Sequence, residues 1–77
     1  MVLSEMMEEQ TCLMLLIGQE HLKVENYKKI IKYNPNEIIL LILKSKLKIV
    51  GKHLNIEYFN EDEISILGEI LSITFEN

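Results

Sequence analysis

The sequence predicts a single all-β domain, and three observations support this prediction. The 77 residues include 12 isoleucines and 12 leucines but no alanine, and β-branched side chains favour strands whereas alanine favours helices. Apolar and polar residues alternate with a period of two along most of the chain, which is typical of strands with one buried face. Short polar stretches, some with glycine, interrupt this alternation as turns do. A chain of this length forms at most one domain.

The first ten residues differ from the rest of the chain. They are acidic and lack the alternation, and Ser4 is placed to cap one turn of helix that would end near Gln10. So short a segment seldom holds a helix alone. We predict an acidic N-terminal arm or short helical turn at residues 1–10, followed by one β domain at residues 11–77.

The β domain is predicted to contain about eight short strands, because the alternation is broken at closely spaced turns. It is clear at Leu22-Lys23-Val24, for example, and at Leu71-Ser72-Ile73. The predicted turns are Gly18-Gln19, Asn34-Pro35-Asn36, Lys44-Ser45, Gly51-Lys52-His53, Asn60-Glu61-Asp62 and Gly68-Glu69.

Similar phrases recur about every 25 residues, as in proteins built from repeated units. Leu22-Lys23-Val24 matches Leu47-Lys48-Ile49, and Ile31-Lys32-Tyr33 matches Ile56-Glu57-Tyr58. Repeated β-units stack so that each covers the apolar face of its neighbour. A solenoid-like stack and a small β-sandwich both fit this pattern, and a bias toward Ile, Lys and Asn could also imitate a repeat.

The repeat predicts which residues face inward. Ile64 and Ile66 are expected to face the core because Ser65 between them is polar. The equivalent inward residues are Ile38, Leu40, Cys12 and Met14. Tyr33 and Tyr58 occupy equivalent positions and are expected in the core, whereas Tyr27 has no clear orientation.

The opposite face of the same strands is also apolar, and a strand that is apolar on both faces is normally covered on both. We predict that this face is an interface, through which the chain self-associates or binds a partner. The alternative is that residues 1–10 or another strand cover it. The predicted interface residues are Leu13, Leu15, Ile39, Leu41 and Leu43.

Charge is distributed unevenly along the chain, whose net charge is −4. All eight lysines lie in residues 21–56, between acidic ends. Lys44, Lys46, Lys48 and Lys52 form a candidate basic face, which is expected to be a solvated surface. Nucleic-acid binding through it is not expected, because the acidic ends would repel phosphate and the chain has no arginine.

The sequence carries no recognisable catalytic, cofactor or metal motif, and enzyme activity is not expected. Cys12 is expected to be a small apolar side chain in a strand. His21 and His53 are expected to point outward. The acidic turn Glu61–Glu63 supports an alternative function as a small cation- or ligand-binding module, although it lacks the ligand spacing of a calcium loop.

No apolar run approaches the roughly 20 residues that a membrane-spanning helix needs. Glu5, Glu8 and Glu9 stand where a signal peptide would be positively charged. We therefore expect a cytoplasmic protein with no transmembrane segment of its own.

Residues 12–76 as a whole resemble the YabP/YqfC family of sporulation proteins from endospore-forming bacteria. The phrase Val24-Glu25-Asn26-Tyr27-Lys28 is most similar to the YqfC branch. The segments that carry the resemblance are Leu16–Gly18, Leu22–Lys28, Leu47–Ile56, Glu63–Ile70 and Ile73–Phe75.

The resemblance implies a non-enzymatic protein of the mother cell, with a structural, assembly or adaptor role in endospore formation. It also implies a membrane-protein partner of the YqfD type, and hence a location at the periphery of the membrane around the forespore. Self-association into a homo-oligomer is expected from the apolar face and from open strand edges.

Overall fold

The structure, a computed structural model, describes residues 12–76 and shows an all-β fold. The predicted arm at residues 1–10 lies outside this range. Within it there is no helix, and the six strands are β1 (Leu13–Ile17), β2 (His21–Glu25), β3 (Lys29–Asn34), β4 (Glu37–Leu41), β5 (Lys46–Phe59) and β6 (Glu63–Glu76).

All six strands belong to one antiparallel sheet with the order β1-β2-β6-β5-β4-β3. The all-β prediction is therefore confirmed, but the number of about eight strands is wrong. Two predicted turns, at Gly51–His53 and at Gly68-Glu69, are bends inside continuous strands. Pairing between β5 and β6 continues through the bends, with Gly51 opposite Ile70.

Of the two predicted arrangements, the solenoid-like stack is wrong, because every neighbouring pair of strands within residues 12–76 is antiparallel and the strand order ends at β1 and β3. Leu22-Lys23-Val24 and Leu47-Lys48-Ile49 share only their orientation, with the apolar residues buried and the lysine on the outer face. The first triplet lies in a short hairpin and the second in the long β5–β6 hairpin, so the sequence repeat does not correspond to a structural unit.

The short link between β2 and β3 shows that the sheet folds back on itself. The Asn26 amide donates to the Asp62 carbonyl at 2.6 Å, at the closed end of the β5–β6 hairpin. The Lys28 amide donates at 2.7 Å to the carbonyl of Leu41, which pairs with Lys46 at the open end of the same hairpin. Asn26 and Lys28 are at most about 7 Å apart. The two ends of a straight hairpin from Lys46 to Phe59 would lie about 43 Å apart. The long hairpin must therefore bend, and the sheet forms two layers.

The bends occur at two glycines where β5 and β6 approach closely. A Cβ atom on Gly51 would lie 2.1 Å from the Glu69 carbonyl oxygen, and one on Gly68 would lie 2.7 Å from the His53 carbonyl oxygen. Gly68 and His53 both have positive φ, at 133° and 55°. Sharp bends of this kind allow one strand to contribute to both layers of a folded sheet.

The turns of the two short hairpins satisfy the backbone groups that the bends release from the sheet. In the β3–β4 turn, the Pro35 carbonyl accepts from the Leu54 amide at 2.8 Å. In the β1–β2 turn, the Gln19 carbonyl accepts from the Ile70 amide at 2.9 Å and the Glu20 carbonyl from the Gly68 amide at 3.1 Å. Each bend is thus held by one hairpin, since an unpaired buried amide would cost free energy.

The core lies between the two layers. It contains the predicted inward residues Ile64, Ile66, Ile38 and Leu40, all fully buried, and Cys12 packs against it in a partly buried position. The other buried apolar residues are Leu22, Val24, Tyr27, Ile42, Leu47, Ile49, Leu54 and Ile70. Each half of the sheet supplies one wall, so neither half has a core of its own.

The contact at Gly51 yields a stability prediction. Gly51→Ala forces the β5 and β6 backbones apart and is expected to lower the free energy of unfolding by about 3 kcal/mol, as overpacking against rigid backbone does. Gly18→Ala is the matched control, because Gly18 has φ of 62° and nothing within 4 Å of a new Cβ. It should cost only about 1 kcal/mol, the strain of a left-handed alanine. Urea unfolding of both variants measures the difference, and equal losses would contradict the bend.

Candidate functional site

The candidate site is β1, which forms one edge of the sheet and is apolar throughout. Among the residues that the structure describes, β1 pairs only with β2. Its five side chains are between 40% and 56% exposed. An exposed edge strand presents unpaired N–H and C=O groups to which another strand can bind, and apolar side chains make such binding more favourable.

Both faces of β1 are available to a partner. Leu15 lies opposite Lys23 on the outer face of its layer, with Leu13 and Ile17 on the same side. Met14 lies opposite Val24 on the core side. It is on the face that the sequence predicts, but it is 40% exposed because the edge extends beyond the enclosed core.

The opposite edge, β3, is protected by comparison. It carries Lys29 and Lys32, its pairing with β4 is irregular between Ile30 and Lys32, and Pro35 follows it directly. Lysines, irregular pairing and proline all oppose the addition of a further strand. Of the two terminal strands of the sheet, β1 is therefore the one better suited to strand pairing.

The structure separates the five predicted interface residues. Leu13 and Leu15 lie on the exposed edge, whereas Ile39 and Leu41 are half-buried on β4, between β3 and β5. Leu43 is exposed in the link between β4 and β5. The sequence repeat placed these residues on one face, but they lie on the outer sides of two different layers. The further exposed residues Met14, Leu16 and Ile17 could have been found from the unbroken apolar run Leu13–Ile17.

One residue of the candidate basic face, Lys48, is paired with acidic residues. Lys48 lies 3.3 Å from one carboxylate oxygen of Glu37 and 4.0 Å from Glu76, and Lys32 lies 2.7 Å from the other oxygen of Glu37. Lys46 precedes Lys48 on β5, Lys44 lies in the β4–β5 link and Lys52 lies at the bend of β5. The four predicted residues therefore do not form a continuous strip of uncompensated positive charge.

The ion pairs of Glu37 predict a pH dependence. Hydrogen bonding to Lys32, assisted by Lys48, holds the pKa of the Glu37 carboxyl below its usual range. Because the carboxyl titrates normally in the unfolded chain, this contribution to stability is present above about pH 4.3 and is lost as the pH falls through the lowered pKa. Glu37→Gln should remove it, so its destabilising effect should shrink in acid. Unfolding midpoints measured from pH 7 to pH 3 test this, and Lys32→Gln should show the same trend.

A polar cluster on the outer face involves Ser65, His21 and Glu57. Ser65 Oγ donates to Glu57 Oε1 at 2.8 Å, and His21 Nε2 lies 2.8 Å from the same Oγ. Since the single hydroxyl hydrogen is used on Glu57, His21 Nε2 must be the donor to Ser65. In a nucleophilic triad the histidine instead accepts the serine proton. Ser65 is also fully buried. The hydrogen bonds to His21 and Glu57 therefore satisfy a buried hydroxyl and stabilise the outer face of the sheet.

The buried hydroxyl of Ser65 yields a further stability prediction. Ser65→Ala leaves His21 and Glu57 without their shared partner and should cost about 1–2 kcal/mol. Ser72→Ala, on an exposed position of the same strand, is the control and should cost far less. Chemical denaturation measures both, and equal effects would show that the cluster contributes nothing.

The acidic turn Glu61–Glu63 is organised by hydrogen bonds from neighbouring residues of the chain. Asn60 Oδ1 accepts from the Asp62 and Glu63 amides at 2.8 and 2.9 Å, and the Tyr58 hydroxyl donates to the Glu63 carboxylate. That hydrogen bond raises the pKa of the Tyr58 phenol. Within residues 12–76, no group of three or more His, Cys, Asp or Glu side chains could hold a metal ion.

The tyrosines are placed differently from the prediction. Tyr33 and Tyr58 are 47% and 40% exposed, so their predicted core positions are wrong, whereas Tyr27 is buried in the β2–β3 link with its hydroxyl donating to the Asn60 carbonyl at 2.8 Å. Tyr33 and Tyr58 instead line an open apolar groove of about 510 Å³ between β3 and the second half of β5, together with Ile30, Ile56, Glu57 and Phe59. His53 is exposed at the bend of β5, in line with its predicted outward position.

Residues 12–76 contain strands and turns only, and this part of the chain therefore has no helix that could cross a membrane. Fold and surface together define residues 12–76 as a small antiparallel β structure in which one terminal strand, β3, is protected and the other, β1, is exposed and apolar.

The chain belongs to the YabP family, whose sequence profile matches residues 8–77. This finding confirms the family resemblance and indicates a role related to sporulation. The closer likeness to the YqfC branch stays a prediction. A comparison with curated proteins finds no match.

Proposed function

We propose that this chain is a non-enzymatic assembly or adaptor protein of endospore formation that binds its partner through the β1 edge. The observation that carries the proposal is the contrast between the two terminal strands of the sheet. β3 has lysines, irregular pairing and a neighbouring proline, whereas β1 presents five consecutive exposed apolar residues.

Binding by strand addition suits this surface. Backbone hydrogen bonds along the edge contribute affinity, and the alternate side chains contact the partner on both sides of the strand. Each hydrogen bond gives a net stabilisation of only about 0.5–1.5 kcal/mol, so burial of the β1 side chains supplies a large share of the binding free energy. The strands behind β1 are held by the core, which keeps the edge in an extended conformation before binding.

The family resemblance suggests where such a module acts. A membrane protein of the YqfD type is the expected partner, and the expected location is the mother-cell side of the membrane around the forespore. A recruited adaptor needs no transmembrane segment of its own, since contact with the partner would bring it to the membrane.

Localisation of a fluorescently tagged chain in sporulating cells tests the proposal. Leu15→Lys places a charge in the middle of β1 and should change a ring around the forespore into diffuse signal, because a charge in an apolar contact must be desolvated on binding. Ile31→Lys is the matched control, since Ile31 is 42% exposed on the protected edge, and it should leave the ring intact.

Both variants must be shown to fold, by circular dichroism of the purified chains. A folded Leu15→Lys chain that still forms the ring would overturn the use of β1. Loss of the ring in a strain without the YqfD-type protein would identify the anchor, and persistence of the ring in that strain would refute that partner.

A further inference from the structure

We infer that a second copy of this chain pairs with β1, strand against strand and antiparallel, about a two-fold axis at Leu15. This inference rests on the proposed use of β1 as a binding edge, and it assigns that edge to a second copy of the chain rather than to the membrane protein. The result would be a continuous sheet of two chains, closed as a dimer.

The first argument is that β1 is complementary to itself. Antiparallel pairing of two identical five-residue strands overlaps all five residues in one register only, with Leu13 opposite Ile17, Met14 opposite Leu16 and Leu15 opposite itself. Every contact is then apolar on both faces, and apolar cross-strand pairs stabilise a sheet. The strand carries no charge that would oppose this register.

The second argument is continuity with the core. Met14 and Leu16 lie on the same face as Val24 and Leu22, which are fully buried, yet they are 40% and 46% exposed. In the dimer, Met14 of one copy lies beside Leu16 of the other. The apolar interior therefore continues from one copy to the next.

The third argument concerns charge and competing pairings. The nearest charged strand, β2, would be three strand spacings, about 14 Å, from its equivalent in the second copy. Repulsion at that distance is largely screened at physiological salt. Pairing of β1 with the other terminal strand, β3, of another copy would instead set Lys29 and Lys32 beside apolar residues and would lead to open chains of molecules.

The contact is short, so the dimer is expected to be weak and to depend on concentration, as small interfaces are. Cysteine cross-linking of the full-length chain is therefore the appropriate test. The background carries Cys12→Ala, which removes the only native cysteine.

In this register two copies of residue 15 are about 4.5–5.5 Å apart, within the range of a disulfide. Leu15→Cys should therefore cross-link to itself on mild oxidation. Two copies of residue 13 are about 14 Å apart, so Leu13→Cys alone should cross-link at least about tenfold less. A mixture of Leu13→Cys and Ile17→Cys chains should form the mixed disulfide, although neither does so efficiently alone.

Two results would overturn the inference. Equal cross-linking of all single variants would indicate parallel or non-specific association, and no cross-linking of Leu15→Cys would exclude the pairing. Sedimentation of the unmodified chain provides a second measurement, in which the mass should rise with concentration and stop at a dimer, and Leu15→Lys but not Ile31→Lys should abolish the rise.

The same variants distinguish this inference from the proposed function. If Leu15→Lys disperses the ring in cells but Leu15→Cys does not cross-link, β1 binds a different partner and only the dimer is refuted. If cross-linking occurs in the predicted register and the ring is unaffected by Leu15→Lys, the dimer stands and the role of β1 in recruitment fails.

Discussion

The close approach of β5 and β6 at their two bends is the constraint on which the rest of this structure depends. Neither Gly51 nor Gly68 leaves space for a Cβ atom, so the two long strands can turn together from one layer into the other. That turn allows a three-residue link to join β2 to β3, and it brings the apolar faces of the two layers together. The short hairpins then complete the bends, because their turn carbonyls accept the amides that the sheet no longer pairs. The core, the bends and the hairpins therefore stabilise one another, and none of them is a separate unit.

Local pattern predicts much of this fold, but the bends show its limit. Alternation places Ile38, Leu40, Ile64 and Ile66 in the core correctly, because the orientation of a side chain in a strand depends only on its immediate neighbours. A bend and a turn use the same residues, so Gly68-Glu69 alone does not reveal which one it forms. The difference lies in pairing with a distant strand, which local sequence does not encode. For the same reason the apparent repeat suggested stacked units where the structure has one folded sheet.

The candidate site likewise depends partly on local sequence and partly on the pairing of distant strands. The apolar run Leu13–Ile17 is visible in the sequence, but its position at the edge depends on the order of the strands, which only the structure provides. Ile39 and Leu41 have a similar composition, yet they lie between β3 and β5 and are half-buried. Lys48 belongs to a lysine-rich segment, but its charge is met by Glu37 and Glu76, which are distant in sequence. Composition therefore identified the kinds of residue that form surfaces, and long-range pairing decided which of them remain accessible.

The sheet order also has a consequence for the chain during synthesis. The partner of β2 is β6, and Leu22 lies opposite Ile66, so the β1–β2 hairpin cannot be incorporated into the sheet until β6 has left the ribosome. At translation rates of about 5–20 residues per second, this leaves the apolar β1–β2 hairpin without its partner for several seconds. Nascent chains on neighbouring ribosomes would present the same strand at the same time. The strand that can bind a partner in the folded protein is therefore also exposed to premature association during synthesis. Low expression or rapid capture by a chaperone would limit that association.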